Sequence, residues 1–351
     1  MLGIDRRAAR IVWTVALVAG SLYVLFLVRK TLFVFALALF ISYLISPLVH
    51  VLQRYRKGAL PRIFSVAAAF LLVIVVIVVG ISLIGPTISE QGSELLERLP
   101  TLAASMNSVD HIKLPAILEP WRDRLSGILR QLVAGATASA IPFASSVVKA
   151  LLGAATDLVF LVIIPILSFL FLKDGPTISR TALRSIELSN RQKIVRIGAD
   201  VHEVLGQYVR ALGLLSLATF IVYGGVFVII GVPFGVLLAA LAALLEFIPV
   251  IGPLTAAGLA LLVALMAGYE HLAWLACFVI FYRIFQDYVL APRLISTGVG
   301  LSPVLVIFGF LAGEQLAGIP GMFLAIPILA VLRIIVASIE PGDSTMDAND
   351  T

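Results

Sequence analysis

The sequence predicts an all-α protein of the lipid bilayer, with about eight membrane segments. Three observations lead there. Of the 351 residues, 61% are hydrophobic and only 13% charged, and the mean hydropathy is +1.10. A water-soluble domain carries about a quarter charged residues, so this chain lacks the polar surface to cover itself in water. Apolar stretches of roughly 20 residues, the length that crosses hydrocarbon, recur along the chain with charges held in the short segments between them. Two further apolar regions are too long for one ordinary span, and each is broken in its middle by proline and glycine.

The elements follow in order. Arg6, Arg7 and Arg10 precede an apolar run over 11–28, which meets Arg29-Lys30 and then a second run over 31–49. No small-residue cleavage site lies between the two runs, so the first reads as a retained signal-anchor and Arg6-Arg7 as anchoring charge. Further spans are expected over 63–85, 144–172, 208–230 and 272–290. The chain thus divides into N-terminal spans (1–86), an amphipathic-helix region (87–143), a fourth span (144–173), a polar helical segment (174–207), a core with the two broken regions (208–337) and a disordered tail (338–351).

Charge sets the orientation. Arg54, Arg56, Lys57 and Arg62 follow the second span with no acid among them, and 174–207 holds Arg180, Arg184, Arg191, Lys193 and Arg196. The region 87–143 instead carries six acids against five basic residues. Positive charge favours the cytoplasm, so the N-terminus, the 51–62 loop and 174–207 are expected inside, 87–143 outside, and both termini cytoplasmic in a bacterial inner membrane. Pro86, Pro100, Pro115, Pro120 and Pro142 cut the outer region into short pieces, with Trp121, Leu125, Ile128, Leu129 and Leu132 on one helical face. In 174–207, Ile194, Ile197, Val201, Leu205 and Tyr208 give a solvated helix one packed face.

Several function classes drop out. The net charge of +5 lies in short runs between apolar stretches rather than on a basic face, which excludes nucleic acid as a partner. Cys277 is the single cysteine, so no disulfide forms within the chain. His50, His111, His202 and His271 are scattered, and His202-Glu203 has no second histidine at ligand spacing, so no metal and no cofactor is expected. No nucleophile with its base and no pair of facing aspartates marks an intramembrane enzyme. A lysine-bearing phosphate loop is missing too, which argues against ATP hydrolysis.

The broken regions carry the functional signal. Region 233–268 runs Phe234–Phe247, then Ile248-Pro249-Val250-Ile251-Gly252-Pro253, then Leu254–Gly268. Region 302–337 repeats the plan, with Pro303–Glu314, a break over Gln315–Gly321 and a second arm containing Pro327. Both open on glycine and proline (Gly231-Val232-Pro233; Gly300-Leu301-Ser302-Pro303), and each has a glutamate just before its break, Glu246 and Glu314. Unwound backbone at membrane depth persists only where protein or a water-filled cavity satisfies it, and such breaks point to a transport site. As re-entrant hairpins the two regions form an inverted repeat; as full crossings they make eight simple spans.

These residues resemble the autoinducer-2 exporter family of bacterial membrane proteins. The matching pieces are Phe169-Leu170-Phe171-Leu172-Lys173-Asp174-Gly175, Gly231-Val232-Pro233, Glu246-Phe247-Ile248-Pro249-Val250-Ile251-Gly252-Pro253, Pro292-Arg293 and Val299-Gly300-Leu301-Ser302-Pro303. With the order of spans they cover nearly the whole chain. Family members often have asparagine where this chain has Glu246. The resemblance implies about eight membrane segments, a pentameric homo-oligomer, elevator-like transport and export of a small polar metabolite such as autoinducer-2. Some relatives are associated with sodium or lithium/proton antiport, which makes a monovalent cation the alternative cargo.

Polar residues inside apolar runs supply the candidate site, because a carboxylate in hydrocarbon costs roughly 2.5–3.5 kcal/mol and needs a partner or a task. The substrate- or ion-binding set is Glu246, Pro249, Gly252 and Pro253 at the first break, Glu314 and Gln315 at the second, and Asp157, Gln286, Asp287 and Arg293 elsewhere. Asp287, with Arg283 one turn before it, reads first as half of a packing ion pair. Asp157 fits packing or function equally, whereas Glu246 and Glu314, beside the breaks, read first as functional. The expectation is a secondary transporter rather than a channel, since no continuous span carries a ring of like polar residues.

Overall fold

The computed structural model describes residues 6–55, 61–105, 162–184, 188–248, 251–294 and 301–339, and every regular element among them is helical. In chain order these are α1 (Arg6–Leu27), α2 (Arg29–Tyr55), α3 (Arg62–Ser105), α4 (Ile164–Arg184), α5 (Leu188–Ile229), α6 (Gly235–Leu245) and α7 (Ile251–Met266). They are followed by α8 (Leu272–Phe285), a π-helical turn (Gln286–Leu290), α9 (Ala291–Leu294), α10 (Pro303–Ala317) and α11 (Ile319–Ile339). Among the described residues five helical stretches are long and apolar enough to cross a membrane: Arg29–Arg54, Arg62–Arg98, Arg191–Ile229, Leu272–Leu294 and Gly321–Ser338. Most of the expected fourth span, with Asp157, lies outside the described residues, as does the amphipathic stretch around Trp121.

Three helices depart from the sequence-based boundaries. No reversal occurs at Arg29-Lys30: Val28 N donates to Val24 O at 3.0 Å and Leu32 N to Val28 O at 2.9 Å, so the helix carries on from α1 into α2. Two adjacent cations look like a loop in sequence, but both have good helix propensity, and the Arg29 guanidinium stacks 4.2 Å from the Phe26 ring one turn back. Likewise α3 runs unbroken through Pro86 and Pro100. A mid-helix proline costs one backbone bond and roughly 3 kcal/mol; beyond Pro86 that cost is opposed by burial of Leu95 and by the Glu94–Arg98 pair at 2.7 Å. In the second broken region the helix continues through Gln315, Leu316 and Ala317, and the break shrinks to Gly318 at φ 63°.

The chain forms two compact units. One comprises Met1–Ser42, Val162–Val201 and Leu301–Thr351. Within it α10 and α11 form an antiparallel hairpin whose backbones touch at Gly313 and Gly321, neither of which has room for a Cβ. Phe323 of α11 packs on Phe40 at 5.1 Å and edge-on against Phe33 at 6.4 Å. The fully buried Ser168 of α4 donates to Ala38 O of α2 at 2.8 Å. Arg29 Nη1 donates at 3.0 Å to Leu316 O, one of the carbonyls left open where α10 ends.

The other unit comprises Tyr43–Leu161 and His202–Gly300. Here α6 and α7 are the arms of a second antiparallel hairpin that packs on α3, while α7 also packs on α8. Along α3, Leu71, Ile74, Val76, Val78, Ile81 and Leu83 all stand exposed. A continuous apolar band of this kind is the lipid-facing surface of a spanning helix. The interior of the unit is built from small and branched residues, among them Ala239, Ala242, Ala256 and Ala260, which let helix backbones approach closely.

Candidate substrate and ion site

At the open end of the α6–α7 hairpin, α5 and α7 both close on glycine caps. Helix α5 ends with Gly231 at φ 71°, where Val232 N reaches back to Phe227 O at 2.8 Å, and α7 ends in the same way with Gly268 at φ 68° and Tyr269 N on Ala264 O at 2.9 Å. These are glycine-terminated helix caps in which the left-handed residue closes the last carbonyls. Phe234 takes the left-handed conformation without being glycine, at φ 58°. That costs roughly 1–2 kcal/mol and turns the chain into α6. Two side chains fasten the corner: Gln91 Oε1 of α3 accepts from Leu237 N at 2.9 Å, and the Tyr269 hydroxyl donates to Ile230 O at 2.6 Å.

The opposite end is the break. Helix α6 has 11 residues, a rise of about 16 Å and half of a hydrocarbon core. After Leu245 the backbone tightens into a turn, with Ile248 N on Leu245 O at 2.9 Å, and restarts with Gly252 N on Ile248 O at 2.9 Å. Gly252 lies so close to the Leu245 carbonyl that a Cβ there would collide with it. Pro253 is buried, and Pro249 lies outside the described residues.

Glu246 stands at this break, 6% exposed. Its Oε1 accepts from Gln286 Nε2 at 2.7 Å and its Oε2 from the Thr219 hydroxyl at 3.3 Å. Thr219 in turn shares a hydrogen bond of 3.2 Å with the Tyr282 hydroxyl. Ser216, one turn before Thr219, donates to Ala243 O at 2.7 Å and fixes α5 against α6. Tyr282, Tyr223, Phe227 and Phe278 close one side with ring contacts of 4.9–6.1 Å. Among the described residues no lysine or arginine forms an ion pair with Glu246. Buried and without an ion-paired cation, an ionised carboxylate keeps part of its desolvation cost uncompensated. Two neutral donors and a row of hydroxyl oxygens suit it to hold a proton or a small cation.

Asp287 is exposed and pairs with Arg283, one turn before it, at 2.8 Å. Glu314, Gln315 and Arg293 are exposed, and the Glu314 carbonyl accepts from Gly318 N at 2.7 Å. Gln286 occupies the π-helical turn between α8 and α9, a local widening that often marks a functional position. Sequence reasoning missed Thr219 and Tyr282. The available signal was that Ser216 and Thr219 are the only side-chain hydroxyls between Ala211 and Ile221, one turn apart on one face of the span. No group of three His, Cys, Asp or Glu side chains is close enough to hold a metal among the described residues.

A polytopic helical bundle with a broken hairpin and a buried carboxylate at its tip is the plan of a membrane transporter rather than of a soluble binding protein. Comparison with known proteins narrows this. The chain matches the AI-2E family transporter description over residues 11–340 and belongs to that family. It is 29% identical over 316 residues to YrrI of Bacillus subtilis, covering 88% of this chain and 86% of that one. A second B. subtilis protein, YueF, is 24% identical over 352 residues, covering 92% and 91%; both names assign these proteins provisionally to transport. TqsA of Escherichia coli, named an AI-2 transport protein, is 22% identical over 314 residues, covering 88% and 86%.

Proposed function

We propose that the protein is a secondary transporter of the bacterial inner membrane that exports a small polar metabolite of the autoinducer-2 type. The observation that carries this reading is the buried Glu246, held by Gln286 and Thr219 at the tip of a half-length hairpin. Thr219 lies midway along the 208–230 apolar run, so a hairpin whose tip bonds to it enters halfway and returns. That supports the re-entrant form. A hydroxylated metabolite has the donors and acceptors to replace Thr219 and Gln286 around the carboxylate. In this reading the protein works as a homo-oligomer (a pentamer by family resemblance), and an elevator-like movement carries the site. Glu314 and Gln315 form a second test position on the other hairpin.

A second reading, sodium or lithium/proton antiport, is favoured by one feature: a lone carboxylate beside two hydroxyl oxygens suits a monovalent cation. Liposomes reconstituted with the purified protein separate the two. Export predicts autoinducer-2 flux that depends on Glu246. Antiport predicts sodium-driven proton movement that depends on Glu246 and persists without metabolite. Neither flux, from protein of native oligomer size, refutes both.

A further inference from the structure

Away from Glu246, the crossing of α2 and α5 assembles a second polar constellation that the transport site does not use. Arg210 is the last charged residue before the apolar run of α5. It is partly buried and has no carboxylate partner among the described residues. Its guanidinium folds back one turn: a Cβ on Gly206 would lie 3.3 Å from Arg210 Nη1 and 3.5 Å from the Tyr43 ring. The missing side chain at Gly206 therefore leaves the space the guanidinium occupies. One turn further back, His202 Nδ1 meets the Tyr43 hydroxyl at 3.0 Å, with the rings 5.1 Å apart. With the phenol assigned as donor to Nδ1, the ring proton sits on Nε2, on the open side of the imidazole. Glu203, the nearest acid in sequence, lies on the neighbouring helical face and accepts from Gln207 at 3.2 Å.

We propose that Arg210 and His202, braced by Tyr43, form a binding site for a phosphate-type oxyanion at the polar end of the apolar run of α5. Positions 202, 206 and 210 make one stripe. Folding back brings the guanidinium to the level of Gly206, one turn, about 6 Å, from His202, a gap that one tetrahedral anion fills with donors on both sides. Guanidinium suits phosphate because its forked N–H groups match two oxygens at once. Two sources share this chemistry, the headgroup of an anionic phospholipid and free phosphate. An arginine that merely reaches for water would show no such preference.

The test uses the full-length protein in non-ionic detergent, following its melting temperature as phosphatidylglycerol, phosphatidylcholine or inorganic phosphate is added. Phosphatidylglycerol is expected to stabilise more than phosphatidylcholine, and Arg210→Gln to weaken that apparent affinity about tenfold. Arg191→Gln, elsewhere on α5, leaves it unchanged. His202→Gln weakens it less and Arg210→Lys keeps part of it, so these two decide the matter if Arg210→Gln does not fold. Stabilisation by inorganic phosphate at millimolar concentration assigns the site to a free anion; stabilisation by lipid alone assigns it to a headgroup. Equal effects of the two lipids with none from phosphate, or wild-type affinity in the Arg210 and His202 variants, overturn the proposal.

Discussion

The two broken hairpins look like copies in sequence, yet their tips are built differently. In the first, Glu246 is buried and its carboxylate is shared between α5 and the π-helical turn that follows α8. In the second, Glu314 is exposed, and only its backbone carbonyl takes part in the turn. The first turn takes Glu246, Phe247 and Ile248 out of the helix, the second a single glycine, Gly318. The lengths differ too: α6 has 11 residues, whereas α11 has 21, enough to cross alone. A glutamate before a break is therefore not one signal. Its meaning depends on whether neighbouring helices bring it donors.

The largest expected effect separates the two acids. Glu246→Gln removes the charge and sets an amide against the Gln286 amide; it should lower transport in liposomes about 10- to 100-fold, in line with the loss of a charge-assisted buried hydrogen bond. Glu314→Gln should change it less than about threefold. Equal losses would mean that the two tips act alike. A middle-sized effect tests what the tips share, which is close backbone contact. Gly252→Ala and Gly321→Ala should each destabilise by about 1–3 kcal/mol as the new methyl meets backbone, read as a lower melting temperature. Gly258→Ala, where nothing lies within 4 Å, serves as the neutral control. The smallest effect concerns the fastenings. Gln91→Ala strands the Leu237 N–H and should cost about 1–2 kcal/mol, whereas Arg29→Ala, at an exposed contact, should cost under about 1 kcal/mol.

Much of this was legible in the sequence, for physical reasons that also mark where legibility ends. Proline and glycine act locally, so Gly231-Val232-Pro233 and Ile248–Pro253 showed where the first hairpin starts and turns. A carboxylate in an apolar run is conspicuous by its cost, which marked Glu246 together with Asp157, Asp287 and Glu314. Thr219 and Tyr282 were not conspicuous, because a threonine or tyrosine is ordinary in a spanning helix until a partner from elsewhere in the chain bonds to it. The continuity of α1 and α2 was hidden for the opposite reason: Arg29-Lys30 resembles a loop, and only backbone bonds across Val28 show otherwise. Pro86 misled in the same way, since the packing of residues 90–98 outweighs a local helix breaker.

The unequal fastening of the first hairpin also sets a population. Its open end is closed by two glycine caps and by the Gln91 and Tyr269 side chains, which bond to main-chain groups, whereas Glu246 is held by two side-chain bonds, from Gln286 and Thr219. Bonds to an ionised carboxylate contribute about 1.5–3 kcal/mol each, so releasing those two costs about 3–6 kcal/mol, which leaves fewer than about one molecule in a hundred with the tip free at any instant. A state at that free energy is still reached by thermal fluctuation, without external energy. A cargo that bonds to Glu246 only when the tip is free would draw the protein toward that state by its binding alone, without touching the anchored end.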